Sequence, residues 1–211
     1  MRRAGADVPR AGLDADAVVD LALAVVDDGG ASGFAALTLS AVAQRAGVAV
    51  PSLYKHVDGL PALRAQVARR CVDQVAAELA AAAAGHEGAD ALRATLVVIR
   101  RFAVRHPGRY RAAQGAEAIA TGAPAERAVA VIGTAILQLG VPRERWVDAV
   151  RGVRAAVHGF VELELVGGFG MPDDVDASFG YLVETLIAAL QTTAAQTNLA
   201  PTATAQANRV S

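Results

Sequence analysis

The chain of 211 residues reads as an all-α protein, with an N-terminal three-helix unit built around a helix-turn-helix and a larger C-terminal helical unit. Three observations predict this. In one segment after another, apolar residues recur at i, i+3, i+4 and i+7, the spacing of a single helix face. Clusters of Gly and Pro at 29–30, 107–108, 122–124, 140–142 and 167–172 cut that pattern into pieces of helical length. Between 37 and 63, two short helical pieces flank one glycine, which is the layout of helix, tight turn, helix.

Residues 1–12 contain Arg2, Arg3, Pro9 and Arg10 without any period and read as a flexible arm, which either adds phosphate or minor-groove contacts or is simply a mobile terminus. A first small unit follows over 13–59. From Asp14 to Asp28 a helix is predicted, with Val18, Leu21, Ala22, Val25 and Val26 as its stripe and Gly29-Gly30 as its end. Phe34 and Leu37 then plug a small core. Thr38 is a good N-cap, because its hydroxyl accepts from a backbone N–H two or three residues on, and Leu39, Val42, Ala43 and Ala46 make the face of a short helix. Gly47 takes the left-handed conformation that ends it. A second short helix is predicted from Val50 to His56 with Pro51 in its first turn. Leu53 and Val57, four apart, turn to the core and leave Val50, Pro51, Ser52, Tyr54, Lys55 and His56 mostly on the outer faces. Such a face suits a DNA major groove.

The larger unit spans 60–193. Leu60 to Ala84 reads as one long helix, with Pro61 tolerated in its first turn. Asp90 is expected to cap a helix over Leu92 to Arg105, which His106-Pro107-Gly108 ends. A short helix around Tyr110 to Ala120, a turn over 121–124 and an apolar helix from Ala125 to Leu139 follow. Arg143 to Val166 and Asp173 to Leu190 are two long helices joined by a Gly-rich turn. They either pair with a second copy across a two-fold axis into a four-helix bundle or form an ordinary hairpin within one chain. The Ala-, Thr- and Gln-rich end, residues 194–211, is expected to be disordered.

Hydrophobic residues make up 54% of the chain and mean hydropathy is +0.34, but alanine supplies much of that, and alanine favours helices rather than marking a membrane span. The apolar run Ala128 to Leu137 is too short for the roughly 20 residues a bilayer needs. Neither a span nor a secretory signal is expected, and residence in the cytoplasm follows. The single Cys71 has no disulfide partner and reads as inert packing, with a redox-sensing thiol as the other reading. Net charge is −1, and residues 1–57 hold six aspartates against Arg2, Arg3, Arg10, Arg45 and Lys55. Charge acts locally, however, and Lys55, the only lysine of the chain, sits within the outer face of the second short helix.

Thr38-Leu39, Ala46-Gly47-Val48, Pro51-Ser52-Leu53-Tyr54-Lys55-His56-Val57 and Leu63 together resemble the DNA-binding half of the TetR family of bacterial transcription repressors. Ala49 departs from the polar cap common there, and Leu60 stands where a lysine is usual. Val157-His158-Gly159-Phe160 with the turn at 167–169 resembles the regulatory half of a subgroup named for a Trp-His-Gly pattern, of which only His158-Gly159 is present. The resemblance implies a homodimeric, ligand-responsive repressor on a palindromic operator in double-stranded DNA, with recognition helices about 34–36 Å apart. It implies that Thr38, Ser52, Tyr54 and His56 hold phosphates, that Val50 and Pro51 meet base edges, and that Lys55 reads guanine or binds phosphate. It also implies a cavity for an unidentified small-molecule effector among the later helices, near Phe102, His106, Tyr110, Gln114, Trp146 and His158. Taken singly each of these side chains reads as plain core, and only the group points to a pocket.

Convergent catalytic chemistry is not found. The four histidines are scattered, and His158 with Glu162 at i+4 lacks a third metal ligand nearby, so no catalytic residue, metal or cofactor is expected. The reading that competes with the repressor is a small-molecule-binding helical dimer without specific DNA binding, motivated by the non-basic N-terminal half.

Overall fold

The computed structural model describes residues 13–115, 122–172 and 174–199, with side chains to residue 196. The helices are α1 Ala15–Asp28, α2 Leu39–Ala46, α3 Val50–Leu53, α4 Gly59–Ala83, α5 Gly88–Arg105, α6 Pro107–Gln114, α7 Ala123–Gln138, α8 Trp146–Leu165 and α9 Val175–Leu199, with 3-10 turns at Gly30–Ser32 and Arg143–Arg145. Among the described residues there is no strand, and no helix is long and apolar enough to cross a membrane.

The local signals act where the sequence places them. The Asp14 carboxylate accepts from the Ala17 N–H at 2.8 Å and the Thr38 hydroxyl from the Ala41 N–H at 3.2 Å, so α1 and α2 each begin with one orphan donor satisfied. Gly47, at φ 67°, ends α2 in the left-handed conformation and sends the Val48 N–H back to the Ala43 carbonyl at 3.0 Å, a helix stop that glycine alone adopts without strain.

Two cores divide the molecule. Val18, Ala22, Val26, Phe34, Leu37, Val42, Leu53 and Val57 join Leu63, Val67 and Cys71 of α4 and Ala112 of α6 in the first. Leu79, Leu96, Phe102, Tyr110, Ile136, Val153, Val157, Val161, Phe179, Val183 and Ile187 belong to the second. Helices α4 and α6 therefore serve both. Along α4 the buried residues change partner after Val72, and on α6 the two sides divide, Ala112 facing one core and Tyr110 the other. Three short helices bury too little apolar surface to be stable alone, so the small unit leans on these two.

Several boundaries differ from expectation. Helix α3 stops at Leu53 rather than His56, where the chain tightens and the His56 and Val57 N–H groups both reach the Leu53 carbonyl. Helix α5 starts at Gly88 rather than Leu92, its first N–H held by the Gln138 side chain at 2.9 Å. Asp90 consequently lies in the first turn and pairs with Arg93 instead of capping. Helix α6 begins at Pro107, whose missing N–H costs nothing in a first turn, so the residues that end α5 also start α6. The remainder of the short helix expected to reach Ala120 falls on residues 116–121, outside those described, as does the arm, 1–12. Helix α9 runs to Leu199, so the tail expected from 194 begins as helix. Alanine and glutamine favour that state, Ala194 is buried, and the Thr192 hydroxyl donates back to the Ala188 carbonyl. Residues 200–211 lie outside the described set.

Candidate nucleic-acid interface and regulatory cavity

Thr38, Pro51, Tyr54 and Lys55 are exposed and Val50, Ser52 and His56 partly so, while Leu53 and Val57 of the same segment are buried. All seven of the sequence-predicted DNA residues thus share the surface of the helix-turn-helix, with Tyr54 at 58% exposure, too open to be a core tyrosine. The aspartates that make this half nearly neutral lie elsewhere. Asp16 and Asp20 pair with Arg70 of α4, Asp27 with Arg109 of α6, Asp28 with Arg45 of α2, and Asp14 is the cap of α1. Among the described residues no carboxylate pairs with Lys55. Asp16, Asp20 and Asp27 hold the unit to α4 and α6 and Asp28 ties α1 to α2, while Lys55 is exposed on the outer face.

The contact between the two units is close at α6. Gly108 is buried, and a Cβ placed on it would lie 2.6 Å from the Gly30 carbonyl oxygen and 2.8 Å from the Val26 carbonyl oxygen and Cγ1. Only glycine lets α6 meet the end of α1 this closely. Arg109 donates to both Asp27 oxygens, at 2.8 and 2.5 Å, and to Gln74 of α4 at 3.1 Å. Arg111 bridges in the other direction, from the Ala31 carbonyl at 3.1 Å to Glu162 of α8 at 2.8 Å.

On its other side α6 walls a cavity of about 120 Å³. Val72, Val75 and Leu79 of α4, Leu96, Ile99 and Phe102 of α5, Ile132 of α7 and Val150, Val153 and Val157 of α8 supply its apolar lining. Polar groups enter at Tyr110, Gln114, Arg154 and His158. The Tyr110 hydroxyl is hydrogen-bonded to Nδ1 of His158. Burial first, and the Arg154 charge second, push His158 down to about 4, and burial raises the Tyr110 phenol. Both are therefore neutral at neutral pH.

Of the predicted ligand residues, the structure brings Phe102, Tyr110, Gln114 and His158 to the cavity and leaves two outside it. Trp146, the first residue of α8, packs its ring against α7, its Nε1–H donating to the Gly133 carbonyl at 3.1 Å. His106 meets Phe102 in a tilted ring contact with centroids 5.6 Å apart and lies 4.0 Å from Asp27, at the joint between the units. Burial and the charges of Arg109 and Arg105 lower its pKa. His158 and Glu162 do not act as a ligand pair, since the first is held by Tyr110 and the second by Arg111. Cys71 is buried in the first core, and burial pushes its thiol up to about 12, the state of an inert packing residue. Sequence reasoning missed Arg154. Its signal is its register, because Val150, Val153, Arg154, Val157 and His158 follow the spacing of one buried helix face, where an arginine is out of place unless the face is hollow.

An outward helix-turn-helix seated on a hollow helical body defines a DNA-binding transcription regulator. The chain belongs to the TetR family of bacterial transcription regulators. Residues 30–57 match the family model described as bacterial regulatory proteins, tetR family, and residues 92–186 match the Tetracyclin repressor-like C-terminal domain. The chain is 33% identical over 184 residues to Rv0681 of Mycobacterium tuberculosis, an uncharacterized HTH-type transcriptional regulator, covering 85% of this chain and 82% of that one. To YobS of Bacillus subtilis, of the same description, it is 28% identical over 184 residues, 86% and 95% of the two chains. Among solved structures it resembles BioQ of Mycobacterium smegmatis, with a TM-score of 0.66 at 22% identity over 86% and 99% of the two chains. BioQ with its double-stranded DNA operator gives 0.63 at 21%, over 85% and 99%. A Q116A variant of TetR from Acinetobacter baumannii in complex with minocycline gives 0.61 at 21%, over 86% and 98%. At these identities the solved structures establish the shared fold. Family membership makes the chain a regulator rather than an enzyme.

Proposed function

We propose that the chain is a repressor that binds a palindromic operator as a homodimer through residues 13–59 and is released when a small molecule fills the cavity of the following helical unit. The observation that carries this is the double duty of α6. The helix that supplies Tyr110 and Gln114 to the cavity wall is also wedged by Gly108 and Arg109 against the end of α1. A ligand that displaces Tyr110 or Gln114 displaces the back of the helix-turn-helix with them. Release then extends only as far as the ligand prefers the displaced state. The operator complex of BioQ and the minocycline complex of TetR support the two halves of this reading.

Dimer formation is supported by the outer surfaces of α8 and α9. Gly152, Ala155, Gly159, Leu163 and Val166 are exposed at helical spacing along α8, and Tyr181 on α9 is 77% exposed. A charge-free stripe of this kind on a long helix suits a two-fold helix bundle. The near-neutral charge of the N-terminal half, which motivates a dimer without DNA binding, has its own cause in the aspartates paired with α2, α4 and α6.

Within the helix-turn-helix, Thr38, Ser52, Tyr54 and His56 are the phosphate contacts, Val50 and Pro51 the base contacts, and Lys55 binds guanine or phosphate. Tyr54→Ala is expected to weaken binding to operator and random duplex alike, by roughly tenfold for one charge-assisted hydrogen bond. Val50→Ala is expected to relax preference at one base pair while leaving random-duplex affinity unchanged. Binding titrations on both duplexes at several salt concentrations test this, and equal losses on both duplexes for both variants contradict the assignment.

A further inference from the structure

The geometry points to a compact apolar monocarboxylate as the molecule this cavity takes, its acid group held by Arg154, Gln114 and His158 at the rim and its body against the valines and leucines within. The inference rests on reading the cavity as an effector site and goes further by naming the chemistry of the effector.

Among the described lining residues Arg154 is the only one with a permanent charge. Its side chain donates to the Gln114 Oε1 at 3.0 Å, a neutral acceptor, and among the described residues no carboxylate pairs with it. Most arginines of the described surface do have such a partner: Arg45, Arg70, Arg93, Arg100, Arg105, Arg109, Arg111, Arg127 and Arg145 each lie within 4.0 Å of an Asp or Glu. A guanidinium on a hollow helix face with one amide for company has donors to spare.

The neighbouring groups present donors as well. Tyr110 is 1% exposed, and its buried hydroxyl proton needs an acceptor, for which the structure provides Nδ1 of His158. A neutral imidazole that accepts at Nδ1 carries its proton at Nε2 and donates there. Gln114 spends its oxygen on Arg154, so its amide N–H groups are the ones left to donate. Guanidinium, imidazole N–H and amide N–H₂ thus belong to three lining residues of one cavity, the Glu162 carboxylate that acts on Tyr110 and His158 being held by Arg111, and a group made only of acceptors suits such a set. One positive charge suits a monoanion, and a carboxylate takes guanidinium in the two-pronged geometry that fits it best. The volume of about 120 Å³ approaches the roughly 150 Å³ that admits a benzene-sized guest, which limits the body to a single ring or a short branched chain.

Calorimetric titration of the full chain with benzoate, cyclohexanecarboxylate and hexanoate, each beside its amide, tests the inference. At least one acid is expected to bind about tenfold or more tightly than its amide. Arg154→Gln should remove that difference, whereas Arg154→Lys, which keeps the charge, should retain part of it. Amides binding as well as acids, no acid binding at all, or an unchanged acid affinity in Arg154→Gln would each overturn it. Arg154 is exposed at the rim, so its replacement spares the core, and if the variant nevertheless melts early the acid-against-amide comparison on the unaltered chain decides alone. Acids that bind without altering operator affinity sustain this inference and sink the release mechanism. Release by neutral apolar molecules and not by the acids does the reverse.

Discussion

Gly159→Arg is expected to turn the protein into a monomer and to cost about 100-fold or more in operator affinity, the range by which two linked half-site contacts exceed one. The site is chosen because the two levels of structure respond oppositely. Within one protomer a Cβ at Gly159 meets nothing within 4 Å, and replacing a mid-helix glycine by a good helix former stabilises α8 by up to about 1 kcal/mol. The fold of the single chain therefore has nothing to lose. In the proposed dimer the same position lies at the centre of the stripe formed by Gly152, Ala155, Leu163 and Val166, where a long cation would stand between the two copies. Sedimentation and thermal melting separate the cases. A dimer of undiminished operator affinity would show that this face is not the interface, and a chain that unfolds would contradict the claim that the glycine is open.

Gly108→Ala addresses the joint between the units. The added methyl would stand 2.6 and 2.8 Å from two backbone carbonyl oxygens, those of Gly30 and Val26, and backbone cannot swing aside as a side chain does. A cost of about 1–3 kcal/mol in stability follows from overpacking at such a site, readable in a denaturant melt. The larger expected effect is functional. Pushing α6 away from α1 mimics what the proposed mechanism assigns to a ligand in the cavity, so operator affinity should fall by about tenfold or more without any ligand, and added ligand should change it little further. A variant that is less stable yet binds its operator and responds to ligand as before would show that α6 is packing and not a coupling element.

How much of this was legible beforehand divides along physical lines. The helix-turn-helix could be read almost to the residue, because caps, the left-handed glycine and the four-residue spacing of Leu53 and Val57 are local signals that tertiary structure has no reason to override. Only the length of α3 escaped, since the tightening that closes it at the Leu53 carbonyl has no residue signal in Tyr54-Lys55-His56. Helix ends that depend on distant partners were less legible. Nothing near Gly88 announces the Gln138 side chain that starts α5, and nothing in the alanine- and threonine-rich stretch after Leu190 announces that Ala194 is buried. The pairing of the aspartates of α1 with Arg70 and Arg109 joins residues 50 or more positions apart, so composition alone made the DNA-binding half look electrostatically unsuited. In the cavity, Phe102 and Tyr110 were recognisable as large apolar groups on a middle helix. Trp146 meets the same criterion and packs instead against Gly133 of α7, because aromatic character marks burial and does not say against what. Arg154 carries the one feature that should have stood out, a charge in the register of a buried face.

The most direct test of the account is selection of bound duplexes from a random pool by the full chain at moderate salt, with and without the acid that binds most tightly. The account predicts enrichment of one palindrome whose half-sites are about one helical turn apart, an affinity that falls steeply with salt, and loss of that enrichment when the acid is present. Recovery of no preferred sequence would contradict it.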